Sequence, residues 1–286
     1  MNEKEFLKMV DELFVLSDKE HREVLKLYRK HRDNIKQLIA ELFMKYGVDG
    51  KLNVSDIPKI ERQIQEEIRS IAVSEVAIVT TILATVFAHA YYRTAYEIEK
   101  SIGVTISFSL LRKEVIDEII NFNWSGIPFS QRIWDNTNAL VNALRTELYL
   151  GIQQGESIDK IAKRIDMQFN SKAYQSQRLI RTESARVISS AQEKIYAESN
   201  VVKYLMYTAT LDNRTSETCR SRDGKKWRID DPKRPVIPAH PNCRSCWIPV
   251  IEGYEPTKRK DNETKQVIEY QSYAEWTKSK GIQSPV

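Results

Sequence analysis

The sequence feature that most constrains the fold is a regular series of isoleucines in the first third of the chain. They recur three or four residues apart, at Ile57, Ile60, Ile64, Ile68 and Ile71. Residues at this spacing lie on one face of an α-helix, and a helix with such an apolar face packs against neighbours. The helix is predicted to begin near Pro58, after Ser55 and Asp56. Because its pattern continues to about Lys100, the helix is predicted to be very long.

The middle of this helix is a 17-residue stretch, Val76 to Tyr92, without Lys, Arg, Asp or Glu. A membrane span needs roughly 20 apolar residues. This stretch is shorter, contains three threonines and His89, and is not flanked by basic anchors at both ends, since Glu75 precedes it. These features favour a core helix, or a helix that packs on another subunit, over a membrane span. We therefore expect no membrane partner, and we interpret His89 as a packed residue and not as a ligand.

Further helices are predicted on both sides of the long helix. Apolar residues between Glu3 and about Tyr46 recur at helical spacing and predict two helices. Later helices are predicted over residues 111–121 and 130–149, from residue 157, and over residues 173–199. Residues 104–108 alternate in polarity and are interpreted as a short strand or a connector. The composition, with 41% hydrophobic and 29% charged residues, fits a folded, helix-rich globular chain.

The character of the sequence changes after residue 200. Residues 201–210, VVKYLMYTAT, are rich in β-branched and aromatic residues and predict a strand. Residues 226–229 and 246–251 predict two more short strands, and Pro249 assigns the last of them to a sheet edge. The predicted fold class is therefore mainly α with a small α+β C-terminal region.

The clearest linker is the segment 124–130, where Gly126 and Pro128 interrupt the helical periodicity. A chain of 286 residues is long enough for two domains. The predicted organisation is a helical N-terminal domain with long helices over residues 1–122, a domain of helices and short strands over residues 123–255, and a C-terminal tail over residues 256–286. Because its apolar stretch is too extensive for a solvated surface, the first domain is predicted to bind a partner protein.

Positive charge is concentrated in one C-terminal segment. Residues 212–246 contain nine Lys and Arg against five Asp and Glu, whereas residues 1–120 contain 18 against 20. Such charge suits contact with phosphates and not base reading. The candidate DNA-contacting residues are Arg220, Arg222, Lys225, Lys226, Arg228, Lys233 and Arg234. A solvated loop is the alternative interpretation, because acidic residues are interleaved and Trp227 alone offers an aromatic platform.

Three cysteines and one histidine have the most distinctive spacing in the chain. Cys219 is followed after twenty residues by His240, and then by Cys243 and Cys246 in steps of three. Sulfur and imidazole ligands in a Cys₃His set suit a tetrahedral zinc ion, which is the candidate cofactor. Buried or oxidisable thiols are the alternative, because Cys219 stands alone and short motifs over-predict metal sites. The cysteine pattern does not match a secreted disulfide framework and indicates a reducing cytoplasm.

Several short motifs follow one another in a definite order along the chain. They are Trp124-Ser-Gly with Phe129-Ser130 and Arg132-Ile133-Trp134, Gly155-Glu-Ser157, Ile161-Ala162, Leu179-Ile-Arg181-Thr182-Glu183, Asp212 with Arg214-Thr215, Cys219, Gly224, Pro238-Ala-His240-Pro241-Asn242-Cys243-Arg244 and Trp276. In this order and spacing they resemble the phage head morphogenesis family, the minor head proteins named after protein F of phage Mu. The resemblance covers Trp124 to Trp276, about half of the chain.

The resemblance implies an internal head protein present in few copies. Such a protein associates with the portal and other capsid proteins and assists capsid assembly, DNA packaging or DNA ejection. It is found in the host cytoplasm during assembly and then in the virion. The motif residues are expected to be structural, namely Arg181, Thr182, Glu183, Asp212, Arg214, Gly224, Pro241, Asn242 and Arg244. In the family the position of Cys246 varies, which weakens its assignment as a metal ligand.

Two enzyme interpretations compete with this one. Arg181 and Glu183 suggest an ADP-ribosyltransferase, because such toxins are fused to domains of this family, but no Glu-x-Glu turn accompanies them. His240 and Cys243 suggest a base and a nucleophile, a pair that needs a cleft and an orienting group. A helical Arg and Glu and a tight loop explain the same residues structurally. The chain is therefore predicted to have no catalytic residues.

Overall fold

The computed structural model describes residues 3–48, 52–103, 105–251 and 257–281. Within these ranges the helices are α1 (Glu3–Tyr46), α2 (Pro58–Ile102), α3 (Lys113–Asn121), α4 (Phe129–Gln153), α5 (Ile158–Ser199), α6 (Glu217–Arg222) and α7 (Tyr273–Ser279). The strands are β1 (Tyr204–Thr208), β2 (Lys226–Arg228), β3 (Cys246–Val250), β4 (Lys258–Lys260) and β5 (Val267–Glu269). The structure is 67% helical. The predicted fold class, mainly α with a small α+β C-terminal region, is therefore confirmed.

Helix α1 is a single helix and not the two helices that the sequence predicted. Its buried face continues from Leu13 to Val24 through two polar residues, because Ser17 and His21 lie on the same face and are themselves buried. The helix contains no Gly or Pro, the residues that disfavour a helix interior most strongly. The prediction of two helices is therefore wrong, because buried polar residues continue the packed face of one helix.

Helix α5 likewise joins two segments that were predicted as separate helices. The buried Ser176 lies on the same face as Phe169 and Ile180 and continues the core stripe between them. Residues 104–108 were predicted to form either a short strand or a connector. Residues 105–108 form an irregular connector, and residue 104 lies outside the described residues.

Helix α2 begins at the predicted residue and ends close to the predicted one. It contains an 18-residue window that is long and apolar enough to cross a membrane by length and composition, and 44% of that window is buried. The core helix of a soluble protein has the same composition. Val79, Leu83, Val86 and Phe87 are fully buried, so we retain the interpretation of α2 as a packing helix.

The chain divides into two compact units, each built from separate stretches of sequence. Unit 1 contains residues 1–18, 83–120 and 181–286, and unit 2 contains residues 19–82 and 121–180. The strands and the short helices α6 and α7 belong to unit 1, whereas α4 belongs to unit 2. The sequence domains 1–122, 123–255 and 256–286 stay predictions.

Unit 2 has a core of aliphatic side chains with a buried polar group among them. Ile133, Leu140 and Leu144 on α4 are fully buried. The Glu75 carboxylate accepts hydrogen bonds from Tyr28, whose Oη lies 2.8 Å from Oε2, and from the Ser176 hydroxyl. Burial raises the pKa of Glu75. Helical apolar faces therefore account for most of this unit.

Unit 1 contains a three-stranded antiparallel sheet in the order β2-β1-β3. At its centre Leu205 on β1 pairs with Trp227 on β2 and with Pro249 on β3. Strand β3 is an edge strand, which is where a residue without a backbone N–H was predicted to lie. Strands β4 and β5 form a separate two-stranded sheet.

The described part of the segment predicted as a tail contributes to the core of unit 1. Trp276 on α7 is fully buried, Tyr273 is nearly so, and both pack with Leu211. The Tyr273 hydroxyl donates a hydrogen bond to the Asp212 carbonyl at 2.9 Å. Helix α7 is also capped, because the Ser272 hydroxyl accepts from the Glu275 amide. These residues therefore belong to the fold that carries the site described next.

Candidate functional site

Cys219, His240 and Cys243 come together in unit 1, and we call them the Cys/His site. Their ligand atoms all lie within 4.8 Å of one another. The Cys219 Sγ atom lies 3.1 Å from His240 Nε2 and 3.8 Å from Cys243 Sγ. Both cysteines are buried, and His240 is half-buried. The site can therefore present two sulfurs and one imidazole nitrogen to a single ion.

The start of helix α6 and strand β1 together fix the position of the Cys219 side chain. Ser216 is the N-cap residue of α6, and its hydroxyl accepts a hydrogen bond from the Cys219 amide at 3.3 Å. Serine is favoured at this position because its oxygen pairs with an amide that the helix leaves unpaired. The Tyr207 hydroxyl on β1 lies 3.2 Å from Cys219 Sγ.

The loop that carries His240 and Cys243 is a tight turn attached to α5. The Cys243 amide donates to the His240 carbonyl at 3.1 Å. Asn242 has a φ of 60°, in the left-handed region that asparagine adopts more readily than most residues. Its amide donates to the Thr182 hydroxyl at 3.0 Å. Thr182 of the predicted motif therefore holds the loop that forms half of the Cys/His site.

The protonation of the site follows from its contacts. His240 Nδ1 lies 2.9 Å from the Pro241 carbonyl oxygen, and since a carbonyl accepts, Nδ1 is the donor in this contact. A hydrogen bond from the Cys243 thiol lowers the pKa of the Cys219 thiol. The same contact raises the pKa of Cys243. Cys219 is therefore the sulfur that ionises first.

Cys246, the fourth predicted ligand, lies outside this group of ligand atoms. It begins strand β3, where it pairs with Thr208 on β1. Burial raises the pKa of its thiol to about 12. A thiol with that pKa stays protonated near neutral pH and packs as a small apolar side chain. The structure thus brings together three of the four predicted residues.

Asp212 organises the turn after β1. Its side chain accepts from the Arg214 amide at 3.0 Å and from the Thr215 hydroxyl at 3.1 Å. Arg244, which follows Cys243 directly, makes a two-pronged ion pair with the Asp212 carboxylate. Burial alone would raise the pKa of Asp212, but the hydrogen bonds and charge of Arg244 lower it overall. The carboxylate therefore connects this turn to the loop of the Cys/His site.

Gly224 allows the turn between α6 and β2. Its φ is 72°, a left-handed conformation that side chains with a Cβ rarely adopt. Its amide donates to the Tyr207 carbonyl at 2.9 Å. A Cβ at this position would lie 3.3 Å from the Tyr270 hydroxyl. Both the conformation and the space favour glycine.

Arg181 and Glu183 of the predicted motif make structural contacts on α5. Arg181 pairs with Asp18 on α1, with 2.8 Å between Nε and Oδ1. The buried Glu183 accepts from Arg186 at 2.7 Å. Arg186 in turn donates to two carbonyl oxygens at the end of α3, at 2.8 and 3.0 Å. These side chains connect α5 to two other helical segments of unit 1.

Two of the seven candidate DNA-contacting residues serve the fold. Arg220 donates to the Thr215 carbonyl at 2.8 Å. Arg234 donates to the Glu193 carboxylate at 2.7 Å, and its guanidinium lies over the Trp247 ring. Both guanidinium groups therefore make contacts within the protein.

The remaining candidates lie at the end of α6, on β2 and in nearby turns. Lys225, Lys226 and Lys233 are exposed, and Arg222 is half-buried. Arg228 is exposed and pairs with Asp230 at 2.9 Å. The exposed lysines are therefore the part of the predicted basic group best placed to meet a phosphate backbone.

A buried ion pair between Asp223 and Arg259 was missed by the sequence analysis. The Arg259 guanidinium donates to both Asp223 oxygens, at 2.7 and 2.6 Å, and each side chain is 2% exposed. Asp223 also accepts from the amides of Ala209 and Tyr273, at 2.8 and 2.7 Å. Asp223 and Arg259 are far apart in the sequence, so no spacing pattern connects them. Charged residues are also usually solvated, so neither residue was expected to be buried.

A sequence model of the family described as Phage Mu protein F like protein matches residues 142–248. This range contains α5, strands β1 and β2, the first three residues of β3 and the Cys/His site. No solved structure matches the chain.

Two curated proteins are similar to the chain to different extents. NAD(+)--arginine ADP-ribosyltransferase EFV of Enterococcus faecalis is 30% identical over 203 residues. That similarity covers 65% of this chain, and the chain spans 41% of the length of the transferase. Minor head protein GP7 of Bacillus phage SPP1 is 26% identical over 307 residues, which cover 98% of this chain and 97% of GP7. The similarity to GP7 therefore extends over nearly the full length of both chains.

Proposed function

Because the chain belongs to the phage head morphogenesis family of Mu protein F-like minor head proteins, we propose that it acts with the portal inside the phage head, in capsid assembly and in DNA packaging or ejection. The observation that carries the proposal is the end-to-end similarity to minor head protein GP7. Family membership implies a virion location and partners among other phage capsid components. Assembly itself takes place in the host cytoplasm.

The proposed role is structural and without catalysis. The two residues of the transferase interpretation, Arg181 and Glu183, pair with Asp18 and Arg186 within the protein. The transferase relative is longer than this chain, which spans 41% of it. We therefore do not extend the activity in its name to this chain. Incubation with labelled NAD⁺ and arginine-containing acceptors is expected to give no transfer, and transfer that Glu183→Gln abolishes would contradict the proposal.

Deleting the coding sequence from the phage tests the proposed role directly. Without the chain we expect fewer DNA-filled heads and fewer infectious particles, and wild-type protein supplied in trans should restore both. Glu183→Gln retains the shape of this side chain and should keep particle yield if the chain folds, since no turnover is lost. Normal yields of DNA-filled, infectious heads in the absence of the chain would contradict the proposal.

The proposed portal contact lies within residues 1–120, as the sequence suggested. Exposed apolar side chains occur there at Val15, Val73 and Tyr96, which are 63%, 56% and 59% exposed. Apolar groups exposed in the free chain are candidates for burial in a complex. Glutamate at these three positions should reduce co-purification of the full chain with the portal. Glutamate at Met167 and Tyr174, equally exposed, is the matched control and should leave it unchanged.

The opposite result would overturn this assignment, namely portal binding that survives the three substitutions and is lost with the control pair. Circular dichroism of each variant verifies that the helices are retained.

We also propose non-specific contact between DNA and the exposed lysines Lys225, Lys226 and Lys233. Contact with phosphates releases counterions, so binding to random duplex DNA should weaken steeply as salt rises. Glutamate at the three lysines should lower both the affinity and the salt dependence, whereas Lys278→Glu on α7 is the control. Absence of wild-type binding even at low salt would remove this proposal.

A further inference from the structure

We propose that the Cys/His site binds one zinc ion through Cys219 Sγ, Cys243 Sγ and His240 Nε2. Two sulfurs and one imidazole nitrogen are a ligand set that zinc prefers over calcium and magnesium, which take oxygen ligands. The two thiols give up their protons as the ion binds. The site is independent of the portal and DNA contacts proposed above.

The distances between the ligand atoms suit a tetrahedral ion. With Zn–S bonds of about 2.3 Å, two thiolates on tetrahedral zinc lie about 3.8 Å apart. The Cys219 and Cys243 sulfurs are 3.8 Å apart. With a Zn–N bond of about 2.0 Å the sulfur and nitrogen lie about 3.5 Å apart. Cys219 Sγ and His240 Nε2 are 3.1 Å apart, so a shift of a few tenths of an ångström admits the ion.

The histidine is already oriented as a ligand. Its Nδ1 atom donates to the Pro241 carbonyl at 2.9 Å, so Nε2, which lies 3.1 Å from Cys219 Sγ, is the ring nitrogen that faces the sulfurs. A hydrogen bond from the second ring nitrogen to a backbone carbonyl is the usual support for a metal-bound histidine.

Protein contacts from two different elements hold the ligands in place. Ser216 fixes Cys219 at the start of α6, and Thr182 on α5 holds the turn between His240 and Cys243. A fixed ligand geometry lowers the ordering cost of binding an ion. The ion would connect α6 to this loop across the polar segment between them, and so stabilise a region with few apolar side chains.

Cys246 is excluded from the ligand set, because its sulfur lies outside the group of ligand atoms. Cys246 belongs to strand β3, where it pairs with Thr208 on β1. The chain thus offers a matched control, a cysteine three residues from a ligand that should not affect zinc.

Metal analysis of the purified full-length chain is the test. Reduced protein from zinc-supplemented medium should contain about one zinc per chain, whereas Cys219→Ser and Cys243→Ser should contain none. Cys246→Ser should retain the stoichiometric zinc of the wild type. Wild-type protein without zinc, or a disulfide between Cys219 and Cys243 in its place, would overturn the proposal, as would unchanged zinc in both serine variants.

Measurements on wild-type protein keep the test decisive if a serine variant fails to fold. Cobalt should replace zinc in the chelator-treated chain and give the charge-transfer absorption of thiolate–cobalt bonds together with tetrahedral ligand-field bands. Removal of zinc with a chelator should lower the midpoint of thermal unfolding, and added zinc should restore it. A midpoint insensitive to chelator, or cobalt spectra without a thiolate band, would contradict the proposal.

Discussion

In unit 2 the buried side chains are mainly aliphatic and lie on helical faces, as Ile133, Leu140 and Leu144 do on α4. In the C-terminal part of unit 1, from residue 200 onward, polar contacts between distant residues hold the turns. Asp223 with Arg259 and Asp212 with Arg244 are examples. Aliphatic packing depends on volume and pattern, whereas paired charges depend on exact residue identity.

This difference explains where the family motifs lie. The Thr182 hydroxyl and the Asp212 carboxylate accept hydrogen bonds in this region. Gly224 and Asn242 adopt left-handed backbone conformations that most residue types disfavour. The bundle helices need only an apolar face at the correct period. These motif residues therefore lie where the fold depends on polar partners, and a motif there does not by itself indicate catalysis.

The largest effect is expected for Asp223→Ala, because it leaves the Arg259 guanidinium buried without its partner. Breaking a buried pair from one side costs about 3–5 kcal/mol. The free energy of unfolding, measured by urea titration, should fall by this amount. Arg228→Ala is the control, since Arg228 pairs with Asp230 at the surface. A loss no larger than that of the control would show that the pair does not hold this region.

The second effect tests the aliphatic core of unit 2. Leu144 is fully buried on α4, and Leu144→Ala should lower the free energy of unfolding by about 2–5 kcal/mol. Leu150 on the same helix is 41% exposed, and Leu150→Ala should change it by less than about 1 kcal/mol. In contrast, Leu144→Met preserves the side-chain volume and should lower the free energy of unfolding only slightly. Equal losses for Leu144→Ala and Leu150→Ala would contradict the assigned core face.

The smallest effect is a pH dependence that distinguishes the polar region from the aliphatic core. The folded-state pKa of Asp212 is lowered, so its ionised form stabilises the fold at neutral pH. That contribution is lost as pH falls through the folded pKa. Asp212→Asn should therefore cost about 1.5–3 kcal/mol at pH 7 and less at pH 3. Leu144→Ala should show no such change with pH, and a pH-independent loss for Asp212→Asn would refute the ion-pair account.

The sequence predicted the helical elements better than the polar contacts. The isoleucine series was enough to predict α2, because helical spacing is visible within a short stretch of sequence. The run of β-branched residues likewise predicted β1. The breaks predicted within α1 and α5 were wrong, because buried polar residues such as Ser17 continue the packed face of a helix where its apolar pattern is interrupted. Three of the four Cys and His residues of the predicted cluster lie close together in the structure. Cys246 instead belongs to strand β3, and its pairing with β1 depends on the three-dimensional fold and not on local sequence.

The Asp223–Arg259 pair lay beyond sequence reasoning for a different reason. Both residues are charged, and a charged side chain is buried only when a partner compensates it. That partner is supplied by a segment predicted as a tail, so neither residue carried a local signal. Trp276, a large apolar residue in the same segment, was the available indication that these residues join the core.

The central claim, that the chain is a structural component of the phage head, is tested most directly by quantitative mass spectrometry of purified, DNA-filled particles. Particles are first treated with protease to remove proteins bound to the outer surface. We predict that the chain remains, in a few copies per particle and in a constant ratio to the portal protein. Its absence from purified particles, when it is abundant in the same infected cells, would contradict the claim.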